Sequence, residues 1–402
     1  MMAMRLFLVA CCCVVTVAGL AQKKELNQAE AYLKSGKDFE KAEKLMTDLL
    51  KNPKNRTNKK IYKTWYQSVV AQYEAANEKL YLRQKYDTAK FFHLVKHMYF
   101  VAETLDSVDA RPDKKGRVRP DYRKKNAEQL DMLRNNLFNG GSYQLRKGDY
   151  DMAYGYYETY LDAARQPLFE AYDYMRKDTM MPQVAYWATI CAYRLERSDS
   201  VLRYAEVALR DTSRRDFTLQ YVCEAYRWKN QDSAYVASLN RGFDEFPEHP
   251  YFFPRLADWY TAHQMPDSVL VVAERGLKVN PDNQLFLLAK SVAQLNLGDD
   301  EGCVETSERL IALNDTLPEA YFNLATVYLN KALTVEMENE PRKNRKVLKE
   351  LYERARPNME MYRKLLPEDS KRWAPGLYRI YLNLNMGKQF DEIDRIMRKE
   401  NN

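Results

Sequence analysis

Residues 250–281 read PYFFPRLADWYTAHQMPDSVLVVAERGLKVNP, and residues 216–247 read DFTLQYVCEAYRWKNQDSAYVASLNRGFDEFP. Counted from the first residue of each, slots 4, 7, 8 and 11 hold Phe253, Leu256, Ala257 and Tyr260 in one and Leu219, Val222, Cys223 and Tyr226 in the other. Slots 20, 24, 27 and 32 hold Val269, Ala273, Gly276 and Pro281, then Tyr235, Leu239, Gly242 and Pro247. From Pro318 the first slots read Tyr321, Leu324, Ala325 and Tyr328, and the blocks at Pro182 and Gln284 keep phase with weaker matches. The block starts 182, 216, 250, 284 and 318 are 34 residues apart. A fixed period of this length marks stacked supersecondary units.

The slots make physical sense as a helical hairpin. Slots 4, 7, 8 and 11 share one face of a first helix, and slots 20, 24, 27 and 28 share one face of a second. Slot 8 is always small (Thr189, Cys223, Ala257, Ser291, Ala325), as close approach of two helices demands. Slot 32 (Ser213, Pro247, Pro281, Asp315) suits the stop of the second helix. The pattern resembles the tetratricopeptide repeat (TPR) family. The resemblance implies an all-α fold, a right-handed helical-hairpin solenoid with irregular N-terminal and C-terminal repeats. It says nothing specific about function.

By the same resemblance, first helices line an inner groove through slots 2, 5, 9, 12 and 13. Those slots supply Tyr186, Tyr193, Arg194, Phe217, Arg227, Trp228, Tyr251, Phe322 and Asn330 as the candidate partner-binding groove. Aromatics beside Arg are the residue types that anchor protein partners. Slot 9 (Ile190, Glu224, Asp258, Val292, Thr326) lacks the Asn that TPR clamps use on a peptide carboxylate.

Outward from the array, residues 1–21 read as a signal peptide. Arg5 gives a positive start, Leu6 to Val17 is apolar, and Gly19-Leu20-Ala21 offers small residues for cleavage before Gln22-Lys23-Lys24. The run is too short to span a membrane. The expectation is a periplasmic protein cut near Ala21. The alternative is a lipid anchor on Cys11, since Leu8-Val9-Ala10-Cys11 resembles a lipobox, although the apolar run continues past that Cys. Nothing later in the mature chain is apolar enough for a transmembrane segment.

Residues 22–107 read as irregular N-terminal helical hairpins. Residues 108–167 read as a basic loop, a long helix and one clear TPR, in which Leu137, Gly140, Gly141 and Leu145 face Ala153, Tyr157, Tyr160 and Leu161. Residues 168–181 form an insert that elongates or adds a helix, and 182–331 is the in-phase array. Residues 332–373 form an elongated repeat with a charged insert, where Pro357 is expected to break or kink the helix. Residues 374–402 form a capping hairpin with a polar end.

Composition bounds the function. Gly (13) and Pro (15) are scarce, which favours long helices, and a net charge of +7 on mixed signs implies no nucleic acid by itself. The basic run 113–125 could meet an acidic partner or anionic lipid, or be a solvated connector. Once the leader is removed, three cysteines remain. Cys191, Cys223 and Cys303 read as small core residues, with a Cys191–Cys223 bridge the alternative. His93 and His97 have a metal-compatible spacing but lack the acid of a zincin motif. His249 and His263 read as solvated turn residues. Asp199-Ser200, Asp232-Ser233 and Asp267-Ser268 read as caps of second helices.

The chain has no Gly-rich phosphate loop, nucleophile elbow or Cys/His cluster. The expectations are therefore no enzyme, no catalytic, cofactor-binding or metal residues, and no cofactor. The expected partners are other proteins of the periplasm or outer membrane, not nucleic acid or a small molecule. The function these imply is a periplasmic scaffold for envelope, secreted or secretion-machinery proteins, serving secretion, envelope assembly or virulence. The alternative is a glycan- or peptidoglycan-binding protein of the envelope.

Overall fold

The computed structural model describes residues 22–337 and 341–400. The leader 1–21, with the cleavage site and Cys11, lies outside them. Every regular element among the described residues is a helix. Helix α1 covers residues 22–35. It is followed by α2 (Phe39–Leu50), α3 (Lys59–Tyr81), α4 (Thr88–Asp109), α5 (Arg123–Arg146), α6 (Tyr150–Asp162), α7 (Tyr174–Lys177), α8 (Met181–Arg194), α9 (Ser198–Arg203), α10 (Ala205–Ala208) and α11 (Arg215–Trp228). Then come α12 (Asp232–Glu245), α13 (Phe252–Ala262), α14 (Pro266–Leu277), α15 (Gln284–Leu297), α16 (Asp300–Leu313), α17 (Pro318–Met337), α18 (Pro341–Leu365), α19 (Ser370–Asn383) and α20 (Gly387–Glu400).

The chain divides into two compact units at Tyr235/Val236, inside α12. In the first, α3 packs on α4, α5 on α6, and α8 on α9 and α10, while α2–α3, α4–α5 and α6–α8 join successive hairpins. In the second, the hairpins are α13–α14, α15–α16, α17–α18 and α19–α20, joined through α14–α15, α16–α17 and α18–α19. The protein is thus an all-α array of consecutive TPR-type hairpins.

One turn geometry recurs with the period. Glu196 (φ 53°), Asn230 (φ 52°), Gln264 (φ 56°) and Gly298 (φ 74°), 34 residues apart, all take the left-handed conformation just after a first helix. Each is followed by the same back-bonded pair. In the third case the Gln264 amide donates to Thr261 O and the Met265 amide to Tyr260 O. This is the Schellman closure of a helix C-terminus, which satisfies two otherwise orphaned carbonyls. Only one of the four residues is glycine, so three accept the Cβ penalty of that conformation.

A second device joins one hairpin to the next. A Cβ on Gly242 would stand 2.2 Å from the Phe252 ring, and one on Gly276 2.7 Å from the Phe286 ring. The glycine is slot 27 of one repeat and the phenylalanine slot 3 of the next. At the following junction the same slots hold Leu310 and Ala320, both fully buried in one cluster. The large residue has changed sides while the joint stays filled, as dense packing requires.

Several expectations are corrected. At Pro357, where a break or kink is expected, there is no break: α18 runs through that proline. It is held by packing on α17 and α19, which offsets the one backbone bond proline cannot make. The second helix of the repeat at 182 is not continuous. It divides at Tyr204 (φ −116°, ψ 5°), whose ring turns inward (2% exposed) and whose hydroxyl donates to Asp162 at 2.8 Å. Asp199-Ser200 and Asp267-Ser268 do not cap their helices. The N-cap positions are Arg197 and Met265, and the acids lie in the first turn, where a negative charge complements the helix dipole. The insert contains a 3-10 helix, Pro167–Tyr172, and the one-turn α7. No helix of the described residues is long and apolar enough to cross a membrane.

Candidate protein-binding faces

The first helices α8 and α11 lie side by side in unit one and bring predicted groove residues together. The ring centroid of Tyr193 lies 5.4 Å from that of Trp228, nearly parallel to it, and 4.5 Å from that of Tyr221. Tyr186 continues the row, 6.5 Å from Tyr221 and 5.4 Å from Trp187. Tyr193, Tyr221 and Trp228 are each half-buried, while Tyr186 is buried and supports the row from beneath. Burial pushes the Tyr221 hydroxyl up to about 12. Arg194 is exposed at its end, and Phe217 is 44% exposed on α11. Arg227 is tied to the buried carboxylate of Glu224, Nη2 to Oε2 at 2.6 Å. Arg214 lies 5.2 Å over the Tyr186 ring and 5.8 Å over Trp187.

The sequence reading missed Tyr221, Trp187 and Arg214 because slots 6 and 33 are not groove slots in the family pattern. The signal available was the run of aromatics at 186, 187, 193, 221 and 228 on two helices already paired by the period.

In unit two the predicted residues do not form one cluster. Tyr251 is buried (5% exposed) beneath Arg255, whose guanidinium lies 3.8 Å over its ring. Phe322 packs on Tyr362 at 5.0 Å with Arg372 4.0 Å over it, tying α17 to the elements that follow. Asn330 is exposed. The exposed apolar groove-slot residues here are instead Leu285 (47%) and Val292 (38%) on α15. Val292 also lines a small cleft of about 290 Å³ with Met265 and Val269.

A larger cleft, about 1130 Å³, lies between α1, α3 and α5 in unit one. Its walls carry Leu33, Val70, Tyr66, Tyr122, Gln129 and Met132, together with Glu30, Glu74, Glu128, Lys34, Lys63 and Lys125. Met132 is 77% exposed. Apolar surface edged by charges of both signs suits an extended segment of another chain.

The other candidate groups are structural in form. His97 Nε2 meets Glu43 Oε1 at 2.6 Å, and Gln72 and Trp65 also donate to that carboxylate. Burial alone would raise the Glu43 carboxyl, but these bonds outweigh it and hold it below the usual range. The His93 ring stacks on that of His97, 6.1 Å away, and burial lowers its basicity. Among the described residues no group of three metal-ligating side chains occurs. Cys191, Cys223 and Cys303 are buried thiols, so Cys191 and Cys223 do not bridge. His263 is exposed and lies flat on Trp259 at 3.8 Å. His249 departs from the solvated reading: it is half-buried, 5.1 Å from the Phe252 ring.

No family model matches the chain and no curated protein is similar to it. Solved structures are similar at low identity. The C-terminal part of a TPR repeat-containing protein from Cytophaga hutchinsonii is 12% identical, covering 64% of this chain and 92% of its own, with a TM-score of 0.42. A TPR repeats protein from Bacteroides fragilis is 14% identical, covering 65% and 98%, with a TM-score of 0.31. The TPR domain of P58(IPK) is 13% identical, covering 91% and 99%, with a TM-score of 0.27. Likeness at this level does not extend to partners. The class the geometry defines is a hairpin-repeat protein with exposed aromatic and mixed-charge faces.

Proposed function

We propose that the protein is an exported scaffold that holds a segment of another envelope or secreted protein, with the chemistry of binding rather than of catalysis. The observation that supports this best is the row of half-buried rings Tyr193, Tyr221 and Trp228 on two adjacent first helices, with Arg194 at its end. Rings already packed against one another lose little freedom on binding, and aromatic and Arg side chains carry most interface energy. Export rests on the leader at 1–21. The partner is a protein of the periplasm or outer membrane, and service to secretion, envelope assembly or virulence follows from that location.

The experiment is chemical crosslinking in intact cells, followed by recovery of the tagged full chain and of a Trp228→Ala/Tyr193→Ala variant whose helical circular dichroism is unchanged. A defined partner lost in the variant supports the proposal. Equal recovery by both forms removes the ring row from it. Retention of the wild type alone on immobilised peptidoglycan or glycan, without a protein partner, moves the row to sugar binding, where stacked rings also serve. Fractionation and N-terminal sequencing test export, and an intact Met1 chain in the cytosol would refute it.

A further inference from the structure

The fold brings two basic stretches to one edge of unit one. Residues 51–63 carry six cations and no acid, and residues 111–125 carry eight cations and two acids, a net +12 where the whole chain is +7. The first stretch joins α2 to α3 and enters α3. The second joins α4 to α5 and enters α5. The two touch: Lys59 Nζ lies 2.8 Å from Asp109 Oδ1 and 3.7 Å from Asp121 Oδ2, and Lys63 lies 5.7 Å over the Tyr122 ring.

Most of this charge is uncommitted. Asp48, Asp109, Asp113, Asp106 and Glu128 pair with Lys51, Lys59, Arg117, Arg123 and Lys124. Lys54, Lys60, Lys114, Lys115, Arg119 and Lys125 are exposed and form no ion pair among the described residues. The loop that presents several of them is nonetheless built. Asp113 accepts from the amides of Lys115 and Arg117 and from the Arg117 guanidinium, and Gly116 (φ +74°) closes the turn. At its far side Val118 is 53% exposed between Arg117 and Arg119.

We infer that this edge docks on the anionic headgroups of a membrane surface. Like charges held together and unpaired cost self-repulsion, which a polyanion relieves. Five of these six unpaired cations are lysines, on turns and in the first turns of α3 and α5, point charges suited to many diffuse phosphates rather than to one carboxylate held bidentately. An exposed aliphatic residue ringed by cations suits the headgroup–acyl boundary. No exposed aromatic interleaves the patch to stack a base: Tyr62 is buried and Tyr122 is half-buried under Lys63. The site is separate from the α8–α11 ring row, so it stands or falls independently of the partner proposal.

The test is co-sedimentation of the full chain with vesicles of phosphatidylcholine alone or with roughly 30 mol% phosphatidylglycerol, where each Lys or Arg near the surface adds about fivefold to partition. Binding to the anionic vesicles only, falling steeply with salt, is expected. Lys114→Gln, Lys115→Gln and Arg119→Gln together should weaken it roughly 100-fold. Lys54→Gln with Lys60→Gln, on the other stretch, should weaken it about 25-fold. Lys278→Gln, Lys371→Gln and Lys388→Gln, exposed and remote in sequence, should leave it unchanged. Equal binding to both vesicle types, equal loss in the remote triple variant, or tighter binding to polyglutamate or duplex DNA than to the vesicles would overturn the inference.

Discussion

Replacing Gly276 with Ala should destabilise the second unit, although the same change in an open helix stabilises it. Gly276 lies within α14, where alanine's better helix propensity is worth about 1 kcal/mol. Against this, the new Cβ would stand 2.7, 2.8 and 3.0 Å from Cδ2, Cε2 and Cγ of Phe286, where relaxed carbon contacts lie near 3.5–4.0 Å. The ring has nowhere to go. It is 2% exposed, with the Phe253 ring at 4.6 Å and the Phe243 ring at 5.8 Å. Overpacking of this kind costs about 2–3 kcal/mol, which leaves a net loss of about 1–2 kcal/mol. The measurement is urea unfolding of the full chain followed by circular dichroism. Gly387→Ala is the control, because a Cβ there meets nothing within 4 Å and should be neutral or slightly stabilising. In a double-mutant cycle, Phe286→Leu should recover at least half of the loss caused by Gly276→Ala, since the two sites share one contact. If Gly276→Ala raised the midpoint, or if the two changes proved additive, the slot-27/slot-3 joint would not be the close contact described.

Gln264→Gly should raise stability by about 0.5–1 kcal/mol, because Gln264 holds a left-handed φ that glycine adopts without penalty, whereas Gln264→Ala should bring no gain; thermal melts compare them. Glu103 is pushed up to about 7 by burial, with Asp162 adding to it. A raised folded pKa means that its contribution is complete below the unfolded value of about 4.5 and is lost as pH rises through 7. Glu103→Gln should therefore match wild type at pH 4 and exceed it by on the order of 2 kcal/mol at pH 8, read as unfolding midpoints across that window. Arg134 lies between the Tyr160 and Tyr174 rings (3.8 and 3.7 Å) and donates to Asp178, which also accepts from the Tyr160 hydroxyl. Arg134→Ala leaves that carboxylate without its cation, and a loss of about 3–5 kcal/mol in chemical unfolding is expected. Arg134→Lys should recover only part of it, because an ammonium cannot fill the flat slot between two rings.

The hairpins were legible because burial repeats with the chain's own period: Leu219, Phe253 and Tyr321 are all buried at slot 4. The joints were not. Gly242–Phe252 and Gly276–Phe286 repeat their letters, but Leu310–Ala320 performs the same task with the large residue on the other side, and the complement appears only when both sides are seen. The left-handed position was hidden for a related reason. Glu196 and Gln264 are poor residues for it, and they are held there by the two backbone bonds that close the helix rather than by their own preference. The ring row was half legible. Tyr193 and Trp228 follow from the family's groove slots, but Tyr221, which packs against Tyr193, falls on a slot outside that set. The Glu43–His97 contact joins residues 54 apart, outside any local pattern.

Where the period holds, the connectors between repeats are short: 246–251 and 314–317 carry no Lys or Arg, 278–283 carries Lys278, and 209–214 carries Arg210 and Arg214. Where the period fails, 51–58 carries three and 110–122 carries five. Packing cannot account for that difference, since both kinds of connector end one helix and begin the next, and like charges on adjacent turns repel one another. The irregular hairpins therefore gather more cations than most of the regular ones, and the repeat pattern alone leads to the ring row but not to the basic edge. The unpaired lysines at 114, 115 and 125 and the ring row at 193, 221 and 228 are two surfaces of different chemistry, one of cations and one of packed rings. A single ligand satisfies both only with difficulty, which argues for a protein that meets a polyanionic surface through one and a protein segment through the other.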